Sequence, residues 1–336
     1  MPPINLPRLA PGARVHHELR VVSRDNRKTR DGKPFIVLTL GNCHGDIAAA
    51  PIWSDKLFWA DGAERGSIVQ AIGEISTYDD GSNKKRQLEL TAPLRRVDTS
   101  LVTLDDFLPR VEDDVTVLWG SLDRMRAEIR SATLRTVLGT FFDDDVFREE
   151  FERWPGSTRG HHAKLGGLLR HVVEVTSIGR SIARAMRAGG RTTADVDLVT
   201  AGALLHDVGK LEAYAVSPGG FDTTPRGHLL GHIVLGTLML ERRVARLHAG
   251  ACSDEQLLEL HHLILSHHGT LEFGSPVRPM TVEAEIVHWA DESSAKASSF
   301  CDAIADPSIF PEQAEISDRV WMLDNRRIWQ KPHSWD

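Results

Sequence analysis

A histidine and an aspartate stand side by side at the end of an apolar run, Ala203-Leu204-Leu205-His206-Asp207-Val208-Gly209-Lys210. A run this apolar belongs in a core, and an imidazole and a carboxylate carried there must find partners. Together they offer one nitrogen and one oxygen donor from neighbouring positions, which suits a hard or borderline divalent metal. Lys210 lies four residues after His206 and shares its face on a helix. Two residues do not complete such a site, so the fold must bring further ligands to this point from distant parts of the chain. The histidine distribution supplies them: 12 of the 16 lie between His161 and His288, whereas a surface scatter would spread them evenly.

A chain of 336 residues is too long for one ordinary core and predicts two domains. With 41% hydrophobic and 26% charged residues it is composed like a globular protein. No apolar run reaches the roughly 18–20 residues of a membrane span. The start, Met1-Pro2-Pro3-Ile4-Asn5, has no basic region followed by an apolar stretch, and Cys43, Cys252 and Cys301 are widely spaced with no CxxC pair. These features predict reduced thiols and a cytoplasmic location, with no membrane association, and exclude a disulfide framework or a zinc finger. Net charge is −7, but Arg14 to Arg96 carries +3 and the remainder −10.

That basic segment reads as β structure. Val15–Val22, Phe35–Leu40, Asp46–Trp53, Ser67–Thr77 and Gln87–Leu90 form five strands, with a short helix in Ser54–Gly66 and a bulge or bend at Gly73. Asp31-Gly32, His44-Gly45 and Asp80-Gly81 mark turns. Five strands with a helix between the third and fourth is the order of an OB-fold barrel. Arg24, Arg27, Lys28, Arg30 and Lys33 surround the connection of strands one and two, and Lys84, Lys85 and Arg86 follow the turn between four and five. In OB-folds those loops flank the nucleic-acid groove, and Phe35, Trp53 and Tyr78 would offer stacking faces. Each aromatic taken singly reads more readily as barrel core.

From about Ser121 to Ala303 the pattern is helical, with apolar residues at spacings of three and four in Ser131–Phe142, Leu168–Arg187, Asp195–Leu205, Leu229–Leu247, Ser253–His267 and Val282–Ser298. His171, His206, Asp207, His232, His267 and Asp291 each lie in or beside one of these apolar stretches and are the candidate metal ligands. His268 is a candidate supporting group or further ligand. A lone buried histidine is more often a hydrogen-bonded core residue, and that reading suits His228, His248 and His288. It suits the doublet poorly, since both members would need separate burial solutions.

The series then acquires a family. His161-His162-Ala163 precedes Gly166-Gly167-Leu168-Leu169 and His171; Leu204-Leu205-His206-Asp207-Val208-Gly209-Lys210 follows, then Gly227-His228-Leu229-Leu230-Gly231-His232-Ile233-Val234. It ends with His262-Leu263-Ile264-Leu265-Ser266-His267-His268-Gly269, Glu272, Gly274-Ser275-Pro276, Glu283-Ala284 and Asp291. The order His171 … His206-Asp207 … Asp291 resembles the HD superfamily of metal-dependent phosphohydrolases. The whole series behind an OB-fold resembles the YhaM-type 3′–5′ exoribonucleases. The family usually carries a second aspartate three residues after the first, where this chain has Ser294.

The resemblance implies an N-terminal all-β OB-fold barrel over residues 1–97, a connector over 98–125, an all-α HD-type domain over 126–315 and a C-terminal tail over 316–336. It implies two divalent ions, about 3.5–4 Å apart, one held by His171, His206, Asp207 and Asp291 and the other by His232 and His267 with Asp207 bridging. The mixed donors suit Mn²⁺, Fe²⁺ or Co²⁺ better than Mg²⁺. Lys210 would neutralise charge on the pentavalent transition state, its alternative being a helix C-terminal lysine favoured by the dipole, and His161 and His162 would touch substrate phosphate or else serve capping and packing. The implied partner is single-stranded RNA, with single-stranded DNA as a second candidate, and a homo-oligomer is compatible with the pattern. A rival reading is an HD hydrolase of nucleotides or cyclic dinucleotides; the barrel and the lack of Gly-Tyr-Pro after His267-His268-Gly269 weigh against it. A two-iron oxygenase and a non-catalytic RNA-binding protein are further rivals.

Overall fold

The computed structural model describes residues 3–330 except 80–83, 159, 161, 191–192, 218, 307–308, 311–313 and 321–322, and it leaves aside the side chains of residues 84, 101 and 104. His161, the Asp80-Gly81 turn and the Lys84 side chain therefore lie outside the described residues. The chain divides into two compact units: residues 1–110 with 216–222 and 302–336, and residues 111–215 with 223–301.

The first unit is a nearly closed antiparallel barrel. Its strands are β1 (Arg14–Lys28), β2 (Pro34–Asn42), β3 (Gly45–Ala48), β4 (Ile68–Asp79), β5 (Lys84–Leu90) and the short β6 (Arg95–Arg96), ordered β3-β2-β1-β4-β5 with β6 on β4. A parallel bridge between Ala49 and Leu88, with Ala50 N donating to Leu88 O at 2.9 Å, joins the two ends. Closure needs one strand to serve both halves of the sheet. β1 does so: Arg14–Arg20 pair with β4, and Arg20–Lys28 pair with β2. A register shift between Val21 and Ser23 bends it. Val15, Leu19, Val21, Leu38, Leu40, Ile75 and Leu88 fill the interior.

The bulge expected at Gly73 is not there. Pairing runs unbroken through Gly73–Leu90 and Glu74–Glu89, and a Cβ at Gly73 would strike the carbonyl oxygen of Glu89. Gly73 permits close backbone approach; the bend belongs to β1. The helical turns after β3 (Ser54–Ala60) fall within the expected span and are 3₁₀ in form.

The second unit is helical: α1 (Val115–Ala127), α2 (Ala132–Phe142), α3 (Asp145–Arg153), α4 (Gly167–Ala188), α5 (Val196–Leu205), the single turn α6 (Lys210–Ala213), α7 (Pro225–Val244), α8 (Asp254–Ser266) and α9 (Val282–Ala305). A hairpin of β7 (Tyr214–Ser217) and β8 (Gly220–Thr223) separates α6 from α7. Caps explain several starts: Asp114, Ser131, Asp144, Asp195 and Thr224 accept from backbone N–H groups, and Ser253 with Gln256 forms a full capping box. α5 is buried almost throughout, from Val199 to Leu205.

Two helices were not foreseen. The expected connector 98–125 holds 3₁₀ turns and then α1, which buries Leu118, Trp119 and Leu122. α3 is mostly charged, yet Phe147 and Phe151 at i, i+4 face inward. Both helices feed an aromatic cluster in which Phe142 meets Trp119, Phe147 and Phe151 edge-on, with centroids 5.6–6.4 Å apart. In α3 only these two aromatics carry the burial, and the first half of α1 lies in the segment expected as connector. Among the described residues no helix is long and apolar enough to cross a membrane.

Candidate metal centre

Four helices and the turn after α5 bring the predicted ligands together. His171 lies in the second turn of α4. His206 caps the C-terminal end of α5 and Asp207 follows it; His267 caps the C-terminal end of α8. His232 is on α7, one residue past Gly231, whose backbone leaves the helix at φ +71° and ψ +157°. Only glycine takes that conformation without strain, and it sets the direction in which His232 departs. Asp291 is on α9.

The imidazoles are held by their rear nitrogens. His206 Nδ1 donates to Ala203 O and His267 Nδ1 to Ile264 O, each at 2.7 Å and each three residues back on its own helix. His171 Nδ1 donates to Ser294 Oγ at 3.2 Å, and Ser294 Oγ donates to Glu174 Oε2 at 2.9 Å. A carbonyl only accepts, so Nδ1 carries a proton on His206 and His267, and in the neutral ring Nε2 is then the lone pair. That is the tautomer a metal ligand needs.

The two oxygens of Asp207 face different partners. Oδ2 lies 3.3 Å from His171 Nε2 and 3.2 Å from His206 Nε2; Oδ1 lies 3.3 Å from His232 Nε2 and 3.8 Å from His267 Nε2. Asp291 Oδ1 is 3.1 Å from His171 Nε2 and 3.9 Å from His206 Nε2. Three of these atoms, Asp207 Oδ1, His232 Nε2 and His267 Nε2, are buried and have no hydrogen-bond partner among the described residues. Three buried polar atoms converging without hydrogen-bond partners is a costly arrangement. A divalent cation satisfies all three, so the residues present fit a metal. His268 extends this group: its ring centroid is 4.4 Å from that of His267 and 5.0 Å from that of His232, and its Nδ1 donates to Phe273 O.

Electrostatics favour the same occupant. Burial pushes His232 down to about 3 and His267 well below the usual histidine range, so both are neutral at pH 7. Burial would also lower His171, but hydrogen bonds to Asp207 and Asp291 outweigh it and raise the group to about 9. Asp207 would be raised by burial, yet Lys210, His206 and His171 hold it well below the carboxylate range; Asp291 is lowered by His171 and His206 against the same burial. A proton on His171 thus does part of the charge balancing a cation would do.

Lys210 donates from Nζ to Asp207 Oδ2 at 2.5 Å. It is buried, and although burial alone would lower its pKa, Asp207 raises it. The structure ties it to the Asp207 carboxylate. His162 is buried at φ +57°, beside His171, with Nε2 3.1 Å from Ser298 Oγ and 3.6 Å from Glu174 Oε2. The Ser294–Glu174 support of His171 was missed. Its signal was Glu174, three residues from His171 on one helix face. His228 and His248 are exposed and are not core residues; His288 is half-buried and donates to His267 O at 2.8 Å.

On the barrel, Arg27, Phe35, Trp53 and Tyr78 line one groove of about 660 Å³. Phe35 and Trp53 lie 5.2 Å apart, and Trp53 is 49% exposed. Lys56, placed 4.5 Å over the Trp59 ring, joins them there. Lys28, Arg30, Lys33, Lys85 and Arg86 do not line the groove; Lys33 sits 3.5 Å from Asp31, and Arg86 donates to Leu9 O.

The chain is similar to known proteins over the helical unit and over most of its length. Residues 168–296 match the HD domain family. The chain is 31% identical to the 3′–5′ exoribonuclease YhaM of Bacillus subtilis over 95% of both chains. It is 30% identical to that of Bacillus licheniformis over 95% of both, and 30% identical to that of Oceanobacillus iheyensis over 90% of this chain and 89% of the relative. No solved structure matches.

Proposed function

The chain belongs to the family of the YhaM 3′–5′ exoribonucleases, and we propose that it removes nucleotides one at a time from the 3′ end of single-stranded RNA in a reaction that needs divalent metal. The observation that carries the chemistry is the division of Asp207 between two histidine pairs, with three buried donors left unpartnered. His171, His206, Asp207 and Asp291 would hold one ion, and His232 and His267 a second, with Asp207 shared. Bound there, the ions would supply Lewis-acid polarisation of the phosphodiester and acidify the attacking water. A mixed nitrogen and oxygen donor set favours Mn²⁺, Fe²⁺ or Co²⁺.

The chain's own residues do the rest. Backbone carbonyls and Ser294 keep the imidazole lone pairs aimed inward. Lys210 keeps Asp207 ionised and in place, and adds positive charge beside a developing phosphorane. Water adds to the terminal phosphorus and the 3′ oxygen of the preceding nucleotide leaves with a proton, giving a nucleoside 5′-monophosphate and a shortened RNA. His268, with Nδ1 committed to Phe273 O, would offer the Nε2 lone pair to a metal ion or to a metal-bound water.

The barrel groove would hold the strand by stacking on Trp53, Phe35 and Tyr78, with Arg27 on the backbone. Stacking tolerates any base and any sugar, so single-stranded DNA would bind by the same surface. We assign strand binding to residues 1–97 and hydrolysis to residues 126–315. An RNA substrate and three free cysteines fit work in the cytoplasm.

The test is 3′- and 5′-labelled single-stranded RNA incubated with the protein and Mn²⁺, beside Asp207→Ala. Stepwise shortening from the 3′ end that the variant lacks supports the reading. Absence of cleavage with every divalent metal tried overturns it.

A further inference from the structure

The helical unit carries a second polar cavity, of about 410 Å³, where the end of α1 meets α4 and α5. Four guanidinium groups line it, from Arg130, Arg180, Arg184 and Arg187, against two carboxylates, Glu128 and Asp197. None of the metal-ligand candidates is among its lining residues. Arg180 is nine residues beyond His171 on α4, about 14 Å along the helix axis.

Arg180, Arg184 and Arg187 fall at i, i+4 and i+7 and share one helix face, so their charges repel. The carboxylates answer only part of this. Asp197 accepts from the backbone N–H groups of Arg130 and Ser131, at 2.8 and 3.2 Å, and is committed to the start of α2. Glu128 takes both Arg180 and Arg184 on the single oxygen Oε2, 2.7 Å from Arg184 Nη2, while its side chain stays 56% exposed. No carboxylate among the described residues lies within ion-pair distance of the Arg130 or Arg187 guanidinium.

Arg180 shows what is missing. The residue is 5% exposed, Glu128 meets it at Nη2, and its buried Nε–H has no acceptor among the described residues. Nε and Nη2 form the edge of the guanidinium that grips a planar or tetrahedral oxyanion with two parallel hydrogen bonds. One half of that grip is made and the other is not. Met125, Ile129 and Val196 supply an apolar wall to the same cavity, which a bare inorganic ion would leave uncovered. Its volume lies at the small end of ligand pockets.

We propose that this cavity binds a phosphate monoester, with the phosphate on Arg180, Arg184 and Arg187 in place of Glu128 and the organic part against the apolar wall; a nucleoside 5′-monophosphate meets both demands. The assignment stands on the cavity and does not depend on the reaction proposed for the metal centre.

The test is calorimetric titration of the full-length protein in EDTA, so that no metal offers phosphate a second site, with adenosine 5′-monophosphate and with inorganic phosphate as separate probes. Adenosine 5′-monophosphate binds at one site per chain. Arg184→Gln/Arg187→Gln, a pair of exposed positions, weakens it at least ~10-fold through loss of charge-assisted hydrogen bonds. Glu128→Gln, which removes the competing carboxylate, tightens it. Absence of saturable binding by either probe, or equal binding by wild type and the double variant, overturns the site. Inorganic phosphate binding as tightly as the nucleotide overturns the nucleoside assignment.

Discussion

Replacing Asp207 by Asn keeps the shape of the side chain and removes its charge. The consequences separate into stability and chemistry. Asp207 is 1% exposed, and Lys210 Nζ lies 2.5 Å from its Oδ2 in a buried position. At an effective dielectric of about 20 that attraction is worth about 7 kcal/mol. Part of it only offsets the desolvation of the two ions, and breaking such a pair from one side costs about 3–5 kcal/mol, because the other charge is left buried and alone. For a unit of this size that lowers Tm by about 6–20 °C. The measurement is thermal and denaturant unfolding in EDTA, so that lost metal cannot contribute to the difference. Asp207→Asn/Lys210→Met removes both charges and recovers most of the loss, to within about 2 kcal/mol of wild type. Metal content by mass spectrometry and RNA hydrolysis stay lost in both variants, since Oδ1 and Oδ2 face different histidine pairs. An Asp207→Asn protein as stable as wild type in EDTA, or one that retains its metal, would refute the reasoning.

Ser294→Ala removes the group that accepts from His171 Nδ1 and links it to Glu174; affinity for Mn²⁺, measured by chelator competition, falls about 10–100-fold, and an unchanged affinity sinks this role. In EDTA the His171 imidazole, held at about 9 by Asp207 and Asp291 against the lowering effect of burial, lies above its unfolded value of about 6.5. Its contribution to stability is therefore complete below about pH 6.5 and disappears as pH rises through about 9, so unfolding free energies declines across that window and a flat profile contradicts it. Trp53→Ala removes the exposed ring beside Phe35; binding of a single-stranded oligonucleotide weakens by about 1–3 kcal/mol in fluorescence anisotropy, and binding equal to wild type removes the groove from the reading.

Much of the metal centre was legible because its residues violate the local pattern. His171, His206, Asp207, His267 and Asp291 stand in or beside apolar helical stretches, and a polar group there needs a partner wherever the chain runs. The barrel was legible from strand alternation and the helical turns between its third and fourth strands. α1 and α3 were not: the first half of α1 lies in the segment read as a connector, and α3 is mostly charged with only Phe147 and Phe151 facing inward.

What the sequence determined by itself was the set of candidate ligands and the order of the main strands and helices, since both follow from chemistry and periodicity that act within a few residues. The tertiary structure alone decided how that chemistry is shared out. It gave each oxygen of Asp207 its own histidine pair, supported His171 through Ser294, and placed the bend of the barrel in β1 at Val21–Ser23 while Gly73 serves close contact. It also gathered Arg130, Arg180, Arg184 and Arg187 around one cavity. These outcomes depend on distances between residues tens to more than a hundred positions apart, and only packing fixes those distances.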